Sequence, residues 1–128
     1  MKVVEVMNKD VVTCHPTEKL SVIINKLELF HIAGMPVVEK GALVGIVCQS
    51  DILKAVKTGT FQDIMVMDVM TRDVVTVHPA ESATVVAKLM VDKRINRIPV
   101  VEGEKVVGIV TRGDLIRAAA ICEYTPSS

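Results

Sequence analysis

The order of apolar and polar residues predicts a series of five elements in the first half of the chain. A β-branched run, "DVVTC" at residues 10–14, predicts a strand that ends at His15-Pro16, because proline has no N–H to donate to a ladder. A helical pattern covers Leu20 to Phe30, and the segment "MPVVEKGALVGIV" predicts a hairpin with its turn at Lys40-Gly41. A second helix is expected from Ser50 to Val56.

The second half of the chain repeats this plan. "DVVTV" at residues 73–77 precedes a helical pattern from Ala83 to Lys93. A hairpin then turns at Gly103-Glu104, and a last helix is expected from Asp114 to Ile121. When the sequence is shifted by 63 positions, residues 5–55 align with 68–118 without a gap, and about 21 of those 51 pairs are identical. The chain is therefore an internal duplication.

The repeated order of elements predicts an α+β fold made of two tandem β-α-β-β-α repeats, at residues 1–60 and 61–128. A three-stranded sheet with two helices of this length does not bury both of its faces alone. We expect two copies to pack sheet to sheet about a pseudo-twofold axis. Half of the residues are apolar, but only two Phe, one Tyr and no Trp are present, so the core should be aliphatic.

Charge and cysteine content narrow the class of protein. The formal net charge is zero, which argues against a general nucleic-acid binder. No apolar run reaches the roughly 18 to 20 residues of a membrane span. The start, Met1-Lys2-Val3-Val4-Glu5, has a charge too early for the apolar core of a signal peptide. The three cysteines are widely spaced and form no metal-binding or redox pair, so a reducing cytoplasm is the expected location.

The ordered pattern in each copy resembles a known family. "DVMTRDVVTVHPAES" followed by "NRIPVVEGEKVVGIVTRGDLI" is similar to the cystathionine β-synthase (CBS) domain, and the first copy is similar too. Two in tandem resemble a CBS pair, or Bateman module, over residues 3 to about 120. The resemblance implies a regulatory module that binds AMP, ADP, ATP or S-adenosylmethionine between its repeats, with or without Mg²⁺. It also implies a homodimer that signals to a regulated protein partner and has no catalysis of its own.

The family motif places a Gly, a hydroxyl and an Asp where a strand ends and a helix begins. In copy two it spans Gly108 to Asp114. The first N–H groups of the helix favour phosphate, the Thr111 hydroxyl can donate to it, and Asp114 can accept from both ribose hydroxyls. In copy one Asp51 fits, but Cys48 replaces the hydroxyl residue. Ser50 is an alternative hydroxyl there.

In the family the opposite repeat completes each cleft. By that analogy, each motif is expected to face residues near the first strand and before the Pro-Val-Val of the other copy. The cleft of Thr111, Gly113 and Asp114 would be completed by Met7, Val12, Ala33 and Gly34. The cleft of Cys48, Ser50 and Asp51 would be completed by Met70, Thr71, Val75, Asn96 and Arg97. Arg97 is a candidate phosphate ligand of either cleft.

Structural explanations compete with these roles. Thr111 and Asp114 are also suited to capping the last helix. His15 and His78 fit turns better than a metal site, and Cys48 lacks an adjacent base for nucleophilic catalysis. The alternative function is an interaction module with vestigial clefts, which Cys48 favours. The helix at 20–30 is apolar on more than one face, so part of its surface is expected to pack against a second chain.

Overall fold

The computed structural model describes residues 1–59 and 62–124, and side chains as far as residue 121. Helices and two small antiparallel sheets are combined, and the predicted α+β fold class is confirmed. The elements are α1 (Val3–Val6), α2 (Leu20–Phe30), β1 (Gly34–Glu39), β2 (Ala42–Cys48), α3 (Gln49–Lys57), α4 (Val66–Val69), α5 (Ala83–Lys93), β3 (Arg97–Glu102), β4 (Lys105–Thr111) and α6 (Arg112–Tyr124). The boundary expected between the repeats falls at Thr60 and Phe61, which lie outside the described residues.

The described chain divides into two compact units, each of which takes the opening segment of the other repeat. The first unit joins Met1–Val11 to the chain from Val75 onward, and the second unit is Val12–Val74. In the first unit, the N–H of Val3 donates to the carbonyl of Glu81 (2.8 Å). In the second unit, the equivalent Val66 N–H donates to the carbonyl of Glu18 (2.9 Å).

Each unit contains an antiparallel hairpin, β1–β2 or β3–β4, with a register irregularity after Val37 and after Val100. The predicted turns are present. Lys40 and Gly41 have φ of 52° and 81°, which suits a type I′ turn, whereas only Gly103 has positive φ (61°) in the second turn. These two-residue turns fix the same register in both hairpins. Gly45 and Gly108 therefore occupy equivalent positions, as do Cys48 and Thr111.

The strand predicted before each His-Pro is much shorter than expected. Cys14 forms a single parallel bridge to Val37, and Val77 forms one to Val100. After this bridge in the second unit, the N–H of His15 donates to Glu18 Oε1 (2.8 Å). The proline that follows has no N–H with which to resume the pairing.

The two long helices begin and end where the apolar periodicity predicts, but their caps differ. Ser82 caps α5 by accepting from the N–H of Thr84 (3.1 Å), whereas Lys19 precedes α2 without a side-chain cap. Both helices end on a non-glycine residue in the left-handed region, at His31 (φ 54°) and Arg94 (φ 55°). They therefore end at Phe30 and Lys93, as the sequence predicts.

Each unit has its own aliphatic core, built largely from equivalent positions. Met35 and Ile98 occupy the same register position and are fully buried, as are Ile23 and Val86 on the helices. The core of the second unit comprises Cys14, Leu20, Ile23, Leu27, Met35, Val37, Val47, Ile52, Ala55, Val66 and Met70. The core of the first unit comprises Val3, Val77, Val86, Met90, Ile98, Val100 and Val110.

Candidate functional site

The motif of repeat two lies where β4 runs directly into α6. The backbone N–H of Thr111 donates to Asp114 Oδ2 (2.8 Å), and the Thr111 hydroxyl donates to the same oxygen (3.0 Å). The N–H of Asp114 donates back to Thr111 Oγ1 (3.3 Å). These bonds cap the helix, so the structural explanation applies here. Because the hydroxyl hydrogen is used within the cap, Thr111 can donate to a phosphate only after its hydroxyl turns.

The second oxygen of Asp114 points to an arginine one turn along the helix. Arg117 Nη2 donates to Asp114 Oδ1 at 2.6 Å. The Asp114 side chain is 15% exposed, and that of Arg117 is 71% exposed. The carboxylate is thus partly sheltered, while its charge partner stands in solvent.

The motif of repeat one has the same backbone but different polar partners. The N–H of Cys48 donates to Asp51 Oδ2 (2.8 Å), and Cys48 Sγ accepts from the N–H of Asp51. Asp51 Oδ1 receives a long hydrogen bond from the Thr71 hydroxyl (3.5 Å). Asp51 is only 7% exposed. A thiol replaces the hydroxyl at the cap, and a neutral hydroxyl replaces the arginine.

A glycine in each hairpin lets a methionine lie directly on the strand beside the motif. A Cβ built on Gly108 would lie 2.5 Å from Met7 Sδ, and one on Gly45 would lie 2.8 Å from Met70 Sδ. Gly45 also faces the carbonyl oxygen of Thr71, 2.9 Å from such a Cβ. The structure therefore places Met7 with the repeat-two motif and Met70 with the repeat-one motif.

Several other predicted ligand residues lie beside the motif of their own repeat. Arg97 pairs with Thr111 across the hairpin, and the carbonyl of Asn96 accepts from the N–H of Arg112 (2.8 Å). Gly34 pairs with Cys48 in the same way, and the carbonyl of Ala33 accepts from Gln49 (3.0 Å). Of the remaining residues, Ser50 is exposed on α3, and Val12 and Val75 are half-buried. The clefts expected between the repeats stay predictions.

The two histidines before the prolines hold turns. His15 Nδ1 accepts from the N–H of Thr17 (3.1 Å), and His78 Nδ1 accepts from that of Ala80 (3.0 Å). The Thr17 hydroxyl also lies in this turn, 2.8 Å from His15 Nδ1. Within residues 1–59 and 62–121, no three His, Cys, Asp or Glu side chains gather as metal ligands would. No helix of that same part of the chain is long and apolar enough to cross a membrane.

Cys14 behaves as a buried filler of the second unit's core. Burial, with a smaller contribution from the charge of Glu18, raises the pKa of the Cys14 thiol from 9.0 to about 12. The thiol Sγ lies 3.8 Å from the carbonyl oxygen of Pro36, and the residue is 4% exposed. A thiol in this state is a poor nucleophile at neutral pH. The side chain of Cys122 lies outside the described residues.

Sequence reasoning missed two features. One is the Arg117–Asp114 contact, although a spacing of three residues on a helix was a signal for it. The other is an apolar groove between α5 and α6 of about 380 Å³. It opens beside Ala87 and Ala119, where repeat one has the larger Ile24 and Val56. That size difference was the signal. The groove is lined by Ala87, Met90, Val91, Ile95, Asn96, Arg112, Leu115, Ile116 and Ala119.

This duplicated strand-to-helix architecture matches a known family. The family model of the CBS domain matches residues 3–58 and again residues 66–121. The chain belongs to the CBS-domain family, as two domains in tandem, and the resemblance seen in the sequence is confirmed. An inosine-5′-monophosphate dehydrogenase from Methanocaldococcus jannaschii is 36% identical over 115 residues. That match covers 88% of this chain and 22% of the dehydrogenase, so the chain spans about a fifth of that relative.

Solved structures similar to this chain include CBS pairs with bound ligands. The CBS domain pair of protein MJ0100, in complex with 5′-methylthioadenosine and S-adenosyl-L-methionine, has a TM-score of 0.88 and 31% identity. The similarity covers 95% of this chain and 98% of that one. CBSX2 in complex with AMP has a TM-score of 0.84 and 26% identity, over 95% and 98% of the two chains. These neighbours support a ligand-binding regulatory module.

Proposed function

We propose that this chain is a non-catalytic sensor of adenosine-containing molecules. The observation that carries the proposal is the pair of carboxylates, Asp51 and Asp114, placed in the first turn of α3 and α6. Each uses Oδ2 to cap its helix and directs Oδ1 away from that cap. Oδ1 can accept from a ribose diol, and the bound adenosine compounds of the two structural neighbours carry such a sugar.

This geometry and the neighbours support an adenosine-containing ligand. We assign AMP, ADP, ATP or S-adenosylmethionine, with Mg²⁺ accompanying a polyphosphate. Thr111, Gly113, Met7, Val12, Ala33 and Gly34 are proposed for one site, and Cys48, Ser50, Met70, Thr71, Val75, Asn96 and Arg97 for the other. Met7 and Met70 lie on the strands beside the motifs, where a soft thioether can pack against an adenine face.

Regulation of another protein is the proposed output. The dehydrogenase relative matches this chain over only 22% of its length, which fits a regulatory part better than a complete enzyme. We place the chain in a reducing cytoplasm, where the buried thiol of Cys14 stays reduced. The signal would be a shift between two states with different ligand affinity, transmitted to a protein partner.

We propose that a second copy of this chain covers the groove between α5 and α6. Val91 is 76% exposed and Ile116 is 62% exposed, so large apolar side chains that line the groove are exposed to solvent. Exposed apolar residues recur on the helices of repeat one, at Leu29 and Leu53. A symmetric dimer buries the same patch on both partners, which matches apolar surface to apolar surface.

Ile116→Glu should convert a dimer to a monomer in analytical ultracentrifugation; an unchanged mass would contradict this.

An interaction module with vestigial clefts is the second candidate function. The thiol of Cys48 at the helix cap and the internally bonded hydroxyl of Thr111 favour it, because both reduce the donors left for a phosphate. In that case ligands would not stabilise the protein, and the helix surfaces would carry the function.

A thermal-shift screen distinguishes the two candidates. AMP, ADP, ATP, S-adenosylmethionine and methylthioadenosine are tested with and without Mg²⁺. A ligand at 100 times its Kd should add about 2.7 kcal/mol to the free energy of unfolding, or on the order of 10 °C in Tm. Asp114→Ala and Asp51→Ala should each remove the part of the shift that comes from the site of that carboxylate. Asp68→Ala is the matched control, because Asp68 accepts from the N–H of Met65 (2.9 Å) in a similar cap outside the motifs. A flat response to every ligand would refute the sensor.

A further inference from the structure

The guanidinium of Arg117 occupies the oxygen of Asp114 that the proposed ligand needs. Oδ2 of the carboxylate already accepts both the N–H and the hydroxyl of Thr111. Oδ1 accepts from Arg117 Nη2 at 2.6 Å. A ribose diol that approaches Asp114 therefore meets a charged donor on the available oxygen. To form two hydrogen bonds with the carboxylate, the diol has to displace it.

The sequence of repeat two makes room for this contact. The guanidinium lies over Gly113, where an added Cβ would be 3.2 Å from Arg117 Nη1. A side chain at this position would press on the guanidinium and disfavour the folded-back arrangement. Repeat one has Ser50 and Lys54 at the equivalent positions. A lysine lacks the planar fork of arginine, and Asp51 Oδ1 receives the Thr71 hydroxyl there instead.

We propose that Arg117 is a specificity-determining residue of the repeat-two site, which competes with the ligand for Asp114. This inference rests on the proposed function. An uncharged nucleoside has to break the ion pair and offers the guanidinium nothing in return. A nucleotide carries a phosphate on the same ribose, to which the released guanidinium can turn. The competition therefore favours AMP over adenosine.

The test measures adenosine and AMP affinity by calorimetry on the full chain. All variants carry Asp51→Ala, so that only the repeat-two site is read. Arg117→Ala should bind adenosine about two- to fivefold more tightly than its parent, the range of an exposed ion pair. It should also lower the ratio of AMP to adenosine affinity. Lys54→Ala, at the equivalent position of repeat one, is the control and should leave both affinities unchanged.

Salt dependence separates competition from a structural role. Adenosine is uncharged, so raising NaCl from about 0.05 M to about 0.5 M should strengthen its binding to the parent by weakening the exposed ion pair. Binding to Arg117→Ala should not respond. Equal or weaker adenosine binding by Arg117→Ala would overturn the competition, while the sensor would stand if Asp114→Ala still abolished binding. No binding to any of these proteins would overturn both.

Discussion

The two motifs share a backbone and differ in the atoms that surround the carboxylate. Asp51 and Asp114 each hold the N–H at the end of the preceding strand at 2.8 Å, so the helix begins identically in both repeats. In repeat one the carboxylate lies beside the Cys48 thiol and the distant Thr71 hydroxyl. In repeat two it lies beside the Thr111 hydroxyl and the Arg117 guanidinium. Helix capping and the packing of methionine on glycine keep the same backbone geometry in both motifs. The side chains that could contact a ligand differ at the remaining positions.

The surroundings of the two final helices differ as well. Ile52 and Ala55 of α3 are buried, whereas the equivalent Leu115 and Ala118 of α6 are half-buried, and Leu115 lines the groove. Ala87 on α5 is smaller than its equivalent, Ile24 on α2, and leaves part of that surface uncovered. Both repeats keep exposed apolar side chains, such as Leu29 and Val91, but the groove lies beside the last helix of repeat two.

Substitutions in the two cores should have the greatest effects on stability, and they test whether both cores contribute equally to the free energy of unfolding. Met35 and Ile98 occupy equivalent positions and are both fully buried. Met35→Ala and Ile98→Ala should each lower the free energy of unfolding by about 2–5 kcal/mol, measured by urea denaturation. Leu53→Ala, at a site 69% exposed, is the control and should change little. A loss below about 1 kcal/mol from either core variant would contradict equal cores.

The glycines beneath the methionines should differ in their tolerance of a methyl group. Gly45→Ala meets the backbone oxygen of Thr71 at 2.9 Å, which is fixed by its hydrogen bond from Ile46. Gly108→Ala meets chiefly the flexible end of Met7, with the Asn8 oxygen farther away at 3.2 Å. We expect losses of about 2–3 kcal/mol for Gly45→Ala and about 1 kcal/mol for Gly108→Ala in urea unfolding. The reverse order would show that the thioether, not the backbone, limits the space.

Alkaline pH should weaken the second unit through Cys14. Its pKa is raised from 9.0 to about 12 by burial, so the unfolded chain loses the thiol proton at lower pH than the folded chain. This stability is complete below about pH 9 and falls by at most about 1.4 kcal/mol per pH unit up to about pH 12. Cys14→Val, which installs the residue of repeat two at Val77, should remove that part of the slope in urea unfolding at each pH. An unchanged slope would assign the alkaline loss to other groups.

The smallest effect compares the hydroxyl and thiol caps. Thr111→Ala should cost about 1 kcal/mol, because the Asp114 N–H loses its acceptor and the helix loses its cap. Cys48→Ala should cost less, since a thiol is a weak acceptor. Cys48→Thr should recover a hydroxyl cap and stabilise the chain slightly. Equal losses from the two alanine variants, measured by thermal unfolding, would mean that the hydroxyl adds nothing at this position.

Much of this fold follows from local sequence signals. The long helices α2 and α5 were predicted with their bounds, because apolar periodicity and the preceding His-Pro turn define them. The hairpins followed from β-branched runs around two-residue turns. The short helices α1 and α4 were missed, because four residues are too few to show a period. The strand at residues 10–14 was overestimated: it is reduced to the bridge of Cys14 to Val37, and the β-branched residues before it form no ladder.

The candidate site was only partly predictable. The spacing of Thr111 and Asp114 identified the motif, and the resemblance supplied its proposed ligand. The destination of the Thr111 hydroxyl hydrogen and the position of the Arg117 guanidinium depend on side-chain rotamers, which a residue pattern does not encode. The assembly of Met1–Val11 with the other repeat depends on tertiary pairing, such as that of Asn8 with Ile109.

The most direct test of two unequal adenosine sites is calorimetric titration of the chain and of its Asp51→Ala and Asp114→Ala variants. The ligand is the compound that gives the largest thermal shift. The account predicts two binding events with different affinity in the parent, one of which disappears in each variant. Asp68→Ala should keep both. Titrations without heat of binding, or variants that bind as the parent does, would contradict the assignment of the carboxylates.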